Sequence, residues 1–341
     1  MTAGDRRTNE EWVSWIGRGG GVLNGEEAHA VVAELLFLRE QLGVSFDCSR
    51  PPPVIYHYCS SESFESIVRS KEIWLADSSV SNDAMENELP LKAIERVVLE
   101  TLEASEGEIT LEMFKTIRRS PFIACFSELD DSLGQWRAYA GDGTGFALGI
   151  APHLLDCHIG PRGLTWQQSA PDRISISREV TLVQMIYDLS VFEGTVRRAC
   201  AEQYKAMREA KDRSTKANWR GGLLSHLHTF SMLAKHNGFR EEREWRLLHR
   251  EDIQLSPGRD VADADPGVVV QRSLPERVRF LGGVKRNFVP FKLGLPAGQS
   301  PIVEVVTGPN NRIGDDDLRR LLVSEGLDGV NIRRSEIPYR R

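Results

Sequence analysis

The chain has 341 residues, of which 40% are apolar and 27% charged, and its formal net charge is −6 from 43 basic and 49 acidic side chains. That is ordinary for a globular protein with core enough for one large or two ordinary domains. It excludes a global basic footprint for nucleic acid and leaves a local basic groove open. No run approaches the roughly 18 apolar residues of a membrane span. The cysteines, Cys48, Cys59, Cys125, Cys157 and Cys200, are odd in number and show no CxxC spacing. This argues against a disulfide framework or a zinc site, and for a reducing cytoplasm with neither membrane nor metal as partner.

In chain order, residues 1–50 read as accessory helices. Ala28, Val31, Val32, Leu35, Leu36, Leu38 and Leu42 recur at helical spacing, between Asn24 as N-cap and Gly43 as stop. The stiff spacer SRPPP leads into a strand, VIYHY, over 54–58. A short helix with Phe64, Ile67 and Val68 on one face follows, then the strand EIWLA. Helices are expected at about 90–105 and 110–118. PFIACFS, 121–127, reads as a central strand in which Cys125 is a small buried residue. DDSLGQWRAYA is a helix with an acidic first turn, GDGTG a turn and GFALGI a strand. A helical insertion covers about 180–238, and EEREWRLLHR, 241–250, alternates as a strand. Short strands (RVRFLGGV, SPIVEVVTG) and the helix GDDDLRRLLVSEG complete the chain, with no internal repeat.

Chemistry-bearing residues fall at the ends of these elements. His57 lies at the end of an apolar strand with Tyr58, Cys59, Ser60 and Ser61 directly after it. A lone histidine in a sheet is most often a hydrogen-bonded structural residue, but the polar run and the helix behind it raise the functional share. Ser127 closes the central strand. Trp136 and Tyr139, three apart on one helix face, are both suited to stack on a flat ring, or are core residues of an amphipathic helix. Glu242 and Glu244 are two apart, hence on one strand face with Arg246, while Arg243 faces away. Side-by-side carboxylates repel, which is unusual for packing. The structural alternative is an exposed strand of salt bridges with Arg240, Arg243 and Arg246. His226 and His228 lack the spacing and acidic partner of a zinc site.

Two resemblances follow from these residues. His57, the small residue two positions later, the Ser66-Ile67 pair and Glu72-Ile73 resemble the first motif of the ADP-ribosyltransferase fold of the diphtheria-toxin and poly-ADP-ribosyltransferase type. Cys59 stands where that motif usually carries a hydroxyl, with Ser60 next. The resemblance implies an α+β fold, a split antiparallel β-sandwich over 51–341 with N-terminal helices and the helical insertion. It implies NAD as cofactor. His57, with Tyr58 and Ser60 beside it, would meet a ribose, Ser127 and Trp136 or Tyr139 the nicotinamide, and Glu244 the transition state, with Glu242 as orienter or acceptor activator. The order HYxS, ND (Asn82, Asp83), CFS, WxxYA, GxxLG, ExEWR and PYR also resembles a widespread bacterial family of unknown function, from about 54 to about 341. The implied activity is transfer of ADP-ribose to a macromolecule, protein or nucleic acid, with the toxin or phage-defence role common in that fold. The alternative is a non-catalytic module that keeps the fold and binds a nucleotide or partner.

Overall fold

The run Phe122–Ser127 (β3) is apolar on both faces: Phe122, Ala124 and Phe126 join one buried cluster and Ile123 another, and of the six residues Cys125 alone is exposed. Such a strand belongs inside a sheet, and here it is the sheet's branch point. The computed structural model describes residues 51–78, 88–102, 122–155, 157–159, 180–209, 223, 227, 230–249, 252–255, 268–271, 276–281, 283–293 and 300–339. All belong to one compact unit, 46–164 with 178–341. The helices expected over 1–50 and 110–118, the Asn82-Asp83 loop, His226 and His228 lie outside the described residues.

The elements are β1 (Ile55–Cys59), α1 (Ser61–Ser70), β2 (Glu72–Asp77), α2 (Glu88–Leu102), β3, α3 (Leu133–Tyr139), β4 (Phe146–Ile150), β5 (His158–Ile159), β6 (Val180–Gln184), α4 (Leu189–Glu209), β7 (Glu244–His249), β8 (Asp252–Leu255), β9 (Val268–Gln271), β10 (Arg277–Leu281), β11 (Val284–Lys292), β12 (Ile302–Thr307), α5 (Asp315–Ser324) and β13 (Asn331–Arg334). Eleven strands form one sheet ordered β10-β11-β2-β3-β1-β4-β12-β13, with β7 bonded to β3, β6 to β7 and β5 to β6; β8 and β9 pair separately. Pairing is antiparallel except for β5–β6 and β12–β13, the latter joined across α5 as a parallel pair requires.

β3 pairs with β7 along its whole length, from Phe122↔His249 to Ser127↔Glu244. Its other edge is divided. β2 takes Phe122 and Ile123, and β1 takes only Ser127. Among the described residues, 124–126 have no strand partner on that edge, because β1 diverges to pair with β4 and β2 diverges to pair with β11. The expected sandwich of separate sheets is thus a single mixed sheet forked at β3, which keeps its bonds to both branches.

Helices cover both faces. α1 and α5 contribute to the larger cluster, with Phe64, Val68, Leu318 and Leu322 against Leu75, Leu148, Leu247 and Val305. α2 and α4 pack Ile94, Val97, Phe192 and Val196 against Ile123, Val183 and Leu248. Ser60 caps α1 by accepting from Ser63 N–H at 3.2 Å, and Lys71 closes it in the left-handed region (φ 55°).

Two boundaries correct the sequence reading. The span expected to be helical from 180 opens with strand β6, whose Val180, Thr181, Leu182 and Val183 are buried between neighbours, so its continuous apolar run is that of an inner strand. The strand expected from 241 begins at Glu244. A 3₁₀ turn, Asn237–Glu242, precedes it and ends at Arg243, which is left-handed (φ 44°).

Candidate functional site

The fork leaves backbone groups of β3 without a ladder partner, and His57 supplies one. Its Nδ1–H donates to the Cys125 carbonyl at 2.9 Å, the only direction available because a carbonyl cannot donate. This fixes the tautomer and leaves Nε2 as an acceptor. Burial pushes the imidazole pKa below its usual range, opposed by the Cys125 carbonyl, so the ring is neutral near pH 7. The imidazole also packs against Phe126, with ring centroids 5.5 Å apart.

A cavity of about 270 Å³ opens in the fork, lined by Tyr56, His57 and Tyr58 of β1, Trp74 and Ala76 of β2, Cys125 of β3, Gln135 and Tyr139 of α3, and by Lys235, Glu242 and Glu244. Cys125 is exposed there, contrary to the expectation of a buried residue, because the branch that would cover it has turned away.

Lys235 gathers the two glutamates. Its Nζ lies 2.5 Å from Glu242 Oε2 and 2.8 Å from Glu244 Oε2, and 4.7 Å from the centre of the Phe239 ring. Burial opposes the ammonium, but Glu244 and Glu242 outweigh it and hold the lysine above its usual range. Glu244 is also gripped by Arg246, Nε to Oε1 at 2.6 Å and Nη2 to Oε2 at 3.1 Å, and it is bonded by the Cys125 thiol. Burial alone would raise its carboxyl; Arg246 and Lys235 outweigh that and hold it at about 2. An ionised carboxylate offers about four lone-pair sites, and these four donor contacts fill those of Glu244. Glu242 keeps room. Tyr139 Oη donates to its Oε1 at 3.0 Å and Lys235 to its Oε2. Its side chain is 14% exposed against 4% for Glu244. Burial and the neighbouring Glu242 raise the Tyr139 phenol, which keeps it a donor.

The structure therefore brings His57, Tyr58, Tyr139, Glu242 and Glu244 to one cavity. The two glutamates meet on Lys235 rather than on one strand face, since Glu242 belongs to the turn before β7. Three residues singled out from the sequence have other places. Ser60 caps α1. Ser127 is buried, donates to the Glu242 carbonyl at 2.7 Å and accepts from Leu129 N–H at 3.1 Å, so it shapes the turn that carries Glu242. Trp136 is fully buried, edge-on to Tyr58 at 4.7 Å, with Nε1–H donating to Asp131 Oδ1 at 2.6 Å; Tyr139 is the one of the helix pair that reaches the cavity. Asp131 also accepts from Ser335 Oγ at 2.7 Å and Glu336 N–H at 2.8 Å, which ties α3 to the segment after β13. Lys235 and Trp74 were not legible as site residues. The one signal for Lys235 was a basic residue closing the apolar run FSMLA.

Residues 135–247 match a family model described as protein of unknown function (DUF2971). The matched segment carries Tyr139, Lys235, Glu242 and Glu244, whereas His57 and Trp74 precede it. No curated protein and no solved structure matches the chain. Among the described residues, no helix is long and apolar enough to cross a membrane.

Proposed function

We propose that the fork cavity binds the nicotinamide-ribose end of NAD and that the chain is an ADP-ribosyltransferase acting on a macromolecule. The observation that carries this reading is the convergence of a neutral, acceptor-only His57 Nε2 with the half-free carboxylate of Glu242 and the Tyr139 ring in one cavity. At about 270 Å³ the cavity is at the small end of ligand pockets, typically about 300–1,000 Å³. That suits one ring with its ribose and leaves the remainder of a dinucleotide outside.

In this reading His57 accepts from a ribose hydroxyl, Tyr139 offers a ring face, and Glu242 presents negative charge where positive charge develops on the ribose. The bond from nicotinamide nitrogen to ribose breaks with its electron pair leaving on nicotinamide. The acceptor's nucleophile bonds to the same carbon and gives up its proton to solvent. Glu242 thus takes the role expected of Glu244, whose lone pairs are filled, and Glu244 holds Lys235 and Arg246 in place. A toxin or phage-defence role is compatible with this chemistry and rests on the resemblance alone.

The test is nicotinamide release from NAD, with and without a cell extract as source of acceptor. Glu242→Gln keeps the shape and removes the charge, and should lower release by about 10²–10³-fold. Equal rates for wild type and Glu242→Gln would falsify the assignment. A second reading, binding without cleavage, is favoured by Lys235, whose ammonium 2.5 Å from Glu242 offsets the charge that cleavage needs. Wild-type protein that binds NAD and releases no nicotinamide would select it.

A further inference from the structure

Segment 277–292 carries Arg277, Arg279, Lys285, Arg286 and Lys292 and no acidic residue, in a chain whose net charge is −6. It forms the β10–β11 hairpin, and β11 continues the sheet beside β2. The register places its arginines relative to the cavity. Trp74 and Ala76, which line the cavity, lie opposite Pro290 and Phe288, and two residues further Arg286 lies opposite Arg279. Residues at alternate positions and their cross-strand partners share a sheet face. Arg277, Arg279, Arg286, Phe288, Trp74 and Ala76 therefore form one continuous surface leading to the cavity.

Two features of that surface are left unbalanced among the described residues. First, Arg279 and Arg286 are directly opposed, and like charges in that position are destabilising. Arg277 has Glu72 at 3.6 Å, while neither Arg279 nor Arg286 has a carboxylate partner among the described residues. Second, Arg279 Cζ sits 5.3 Å from the centre of the Trp74 ring, whose stacking partner is Phe288 at 4.1 Å. At this contact both Trp74 Nε1–H and Arg279 Nε–H are shielded from solvent with no acceptor among the described residues. Two donors without acceptors beside two unneutralised guanidiniums are a deficit of anionic oxygen. A phosphate entering between Arg279 and Trp74 supplies an acceptor to each and the countercharge to the arginine pair.

We propose that Arg279, Arg286 and Trp74 form a phosphate subsite on the rim of the cavity, which takes the diphosphate of a nucleotide whose ribose end occupies the fork. The subsite rests on the nucleotide reading above and not on cleavage. Its geometry complements the cavity's size: the part of the ligand that the fork cannot enclose is the part that carries phosphate.

The experiment is calorimetric titration of the full chain with ADP-ribose, nicotinamide riboside and single-stranded oligothymidylate. For Arg279→Ala/Arg286→Ala, the ADP-ribose Kd should rise about ten- to hundredfold, the loss expected for hydrogen bonds to a charged group. Nicotinamide riboside, which has no phosphate, should bind as to wild type. Arg279→Lys/Arg286→Lys should recover part of the loss, since lysine keeps charge without the planar fork, and it serves if the alanine pair does not fold. An unchanged ADP-ribose Kd in the double variant overturns the subsite. Arginine-dependent binding of oligothymidylate without binding of ADP-ribose overturns it in favour of a nucleic-acid surface. Arginine-dependent ADP-ribose binding with no nicotinamide release upholds the subsite and removes the transferase reading. Release that is indifferent to the arginines at low NAD removes the subsite and leaves that reading intact.

Discussion

Lys235 and Glu244 are locked together in near-complete burial: Nζ and Oε2 are 2.8 Å apart, and the side chains are 5% and 4% exposed. The same ammonium holds Glu242, so one lysine keeps two carboxylates from facing each other uncompensated. Lys235→Met retains the stem's volume and removes the charge. Breaking a buried ion pair from one side costs about 3–5 kcal/mol, and urea denaturation should show a loss of that order. Adding Glu242→Gln to Lys235→Met should recover part of it. An unchanged urea midpoint in Lys235→Met would mean that water already screens the cluster.

Acid should act on the same cluster through Glu244. Its folded-state carboxyl, at about 2, lies below the ordinary value of 4.5. The unfolded chain therefore takes up the proton first as pH falls. The stability that the ionised carboxylate contributes is complete above about 4.5 and is lost progressively toward 2. Melting temperatures followed from pH 6 to pH 2 should fall for wild type and fall less steeply for Glu244→Gln. Parallel pH profiles for the two proteins would contradict this.

His57 makes a sharper prediction because its tautomer is readable. With Nδ1–H donated to the Cys125 carbonyl, nitrogen NMR at neutral pH should show a neutral ring protonated at Nδ1. The folded-state pKa is lowered, so the folded chain resists protonation. The histidine's contribution to stability is complete above about 6.5, the unfolded value, and is lost as pH falls below it. Ligand binding that depends on Nε2 as an acceptor should weaken with the same protonation. A ring protonated at Nε2 would break the link between the fork and the histidine.

Gly145 and Gly194 should respond oppositely to alanine. A Cβ on Gly145 would lie 2.1 Å from the Cys59 carbonyl oxygen, where β4 begins beside the end of β1. The Ala140 carbonyl oxygen is 2.9 Å away, and since both oxygens are backbone, overpacking should cost about 1–3 kcal/mol or more. Gly194 lies inside helix α4 with nothing within 4 Å of a new Cβ. Alanine there should stabilise by about 0.5–1 kcal/mol through helix propensity. Thermal melts of the two single variants check both signs.

Local patterns in the chain carry some of this and not the rest. Phe64, Ile67 and Val68 announce α1, the unbroken apolar run announces β3, and paired acids before Trp245 single out Glu242 and Glu244, because each signal lies within a few residues. The fork is not local. It arises because β1 prefers β4 and β2 prefers β11 over most of their lengths, and nothing within β3 records that. Cys125 looked buried for that reason. Lys235 looked ordinary because its meaning depends on Glu242 and Glu244 folding back over it. Trp136 and Tyr139 are equivalent by spacing, and only the Asp131 acceptor separates the anchored indole from the ring that reaches the cavity.

The tie between Asp131 and the segment at Ser335 and Glu336 spans more than 200 positions, and Tyr56 on the cavity wall is bonded to Glu304, 248 positions away. During synthesis the chain leaves the ribosome from its N-terminal side. His57, Cys125 and Tyr139 emerge long before Glu242, and Glu242 before Glu304 and Ser335. Until Glu242 is made, the fork's histidine has no carboxylate near it and the Tyr139 hydroxyl lacks its acceptor. Translation halted before residue 335 yields a protein with every cavity-lining side chain and a helix α3 lacking one of its attachments. The carboxylate of the site, and the ties that brace α3 and Tyr56, are therefore all made after the histidine they stand near.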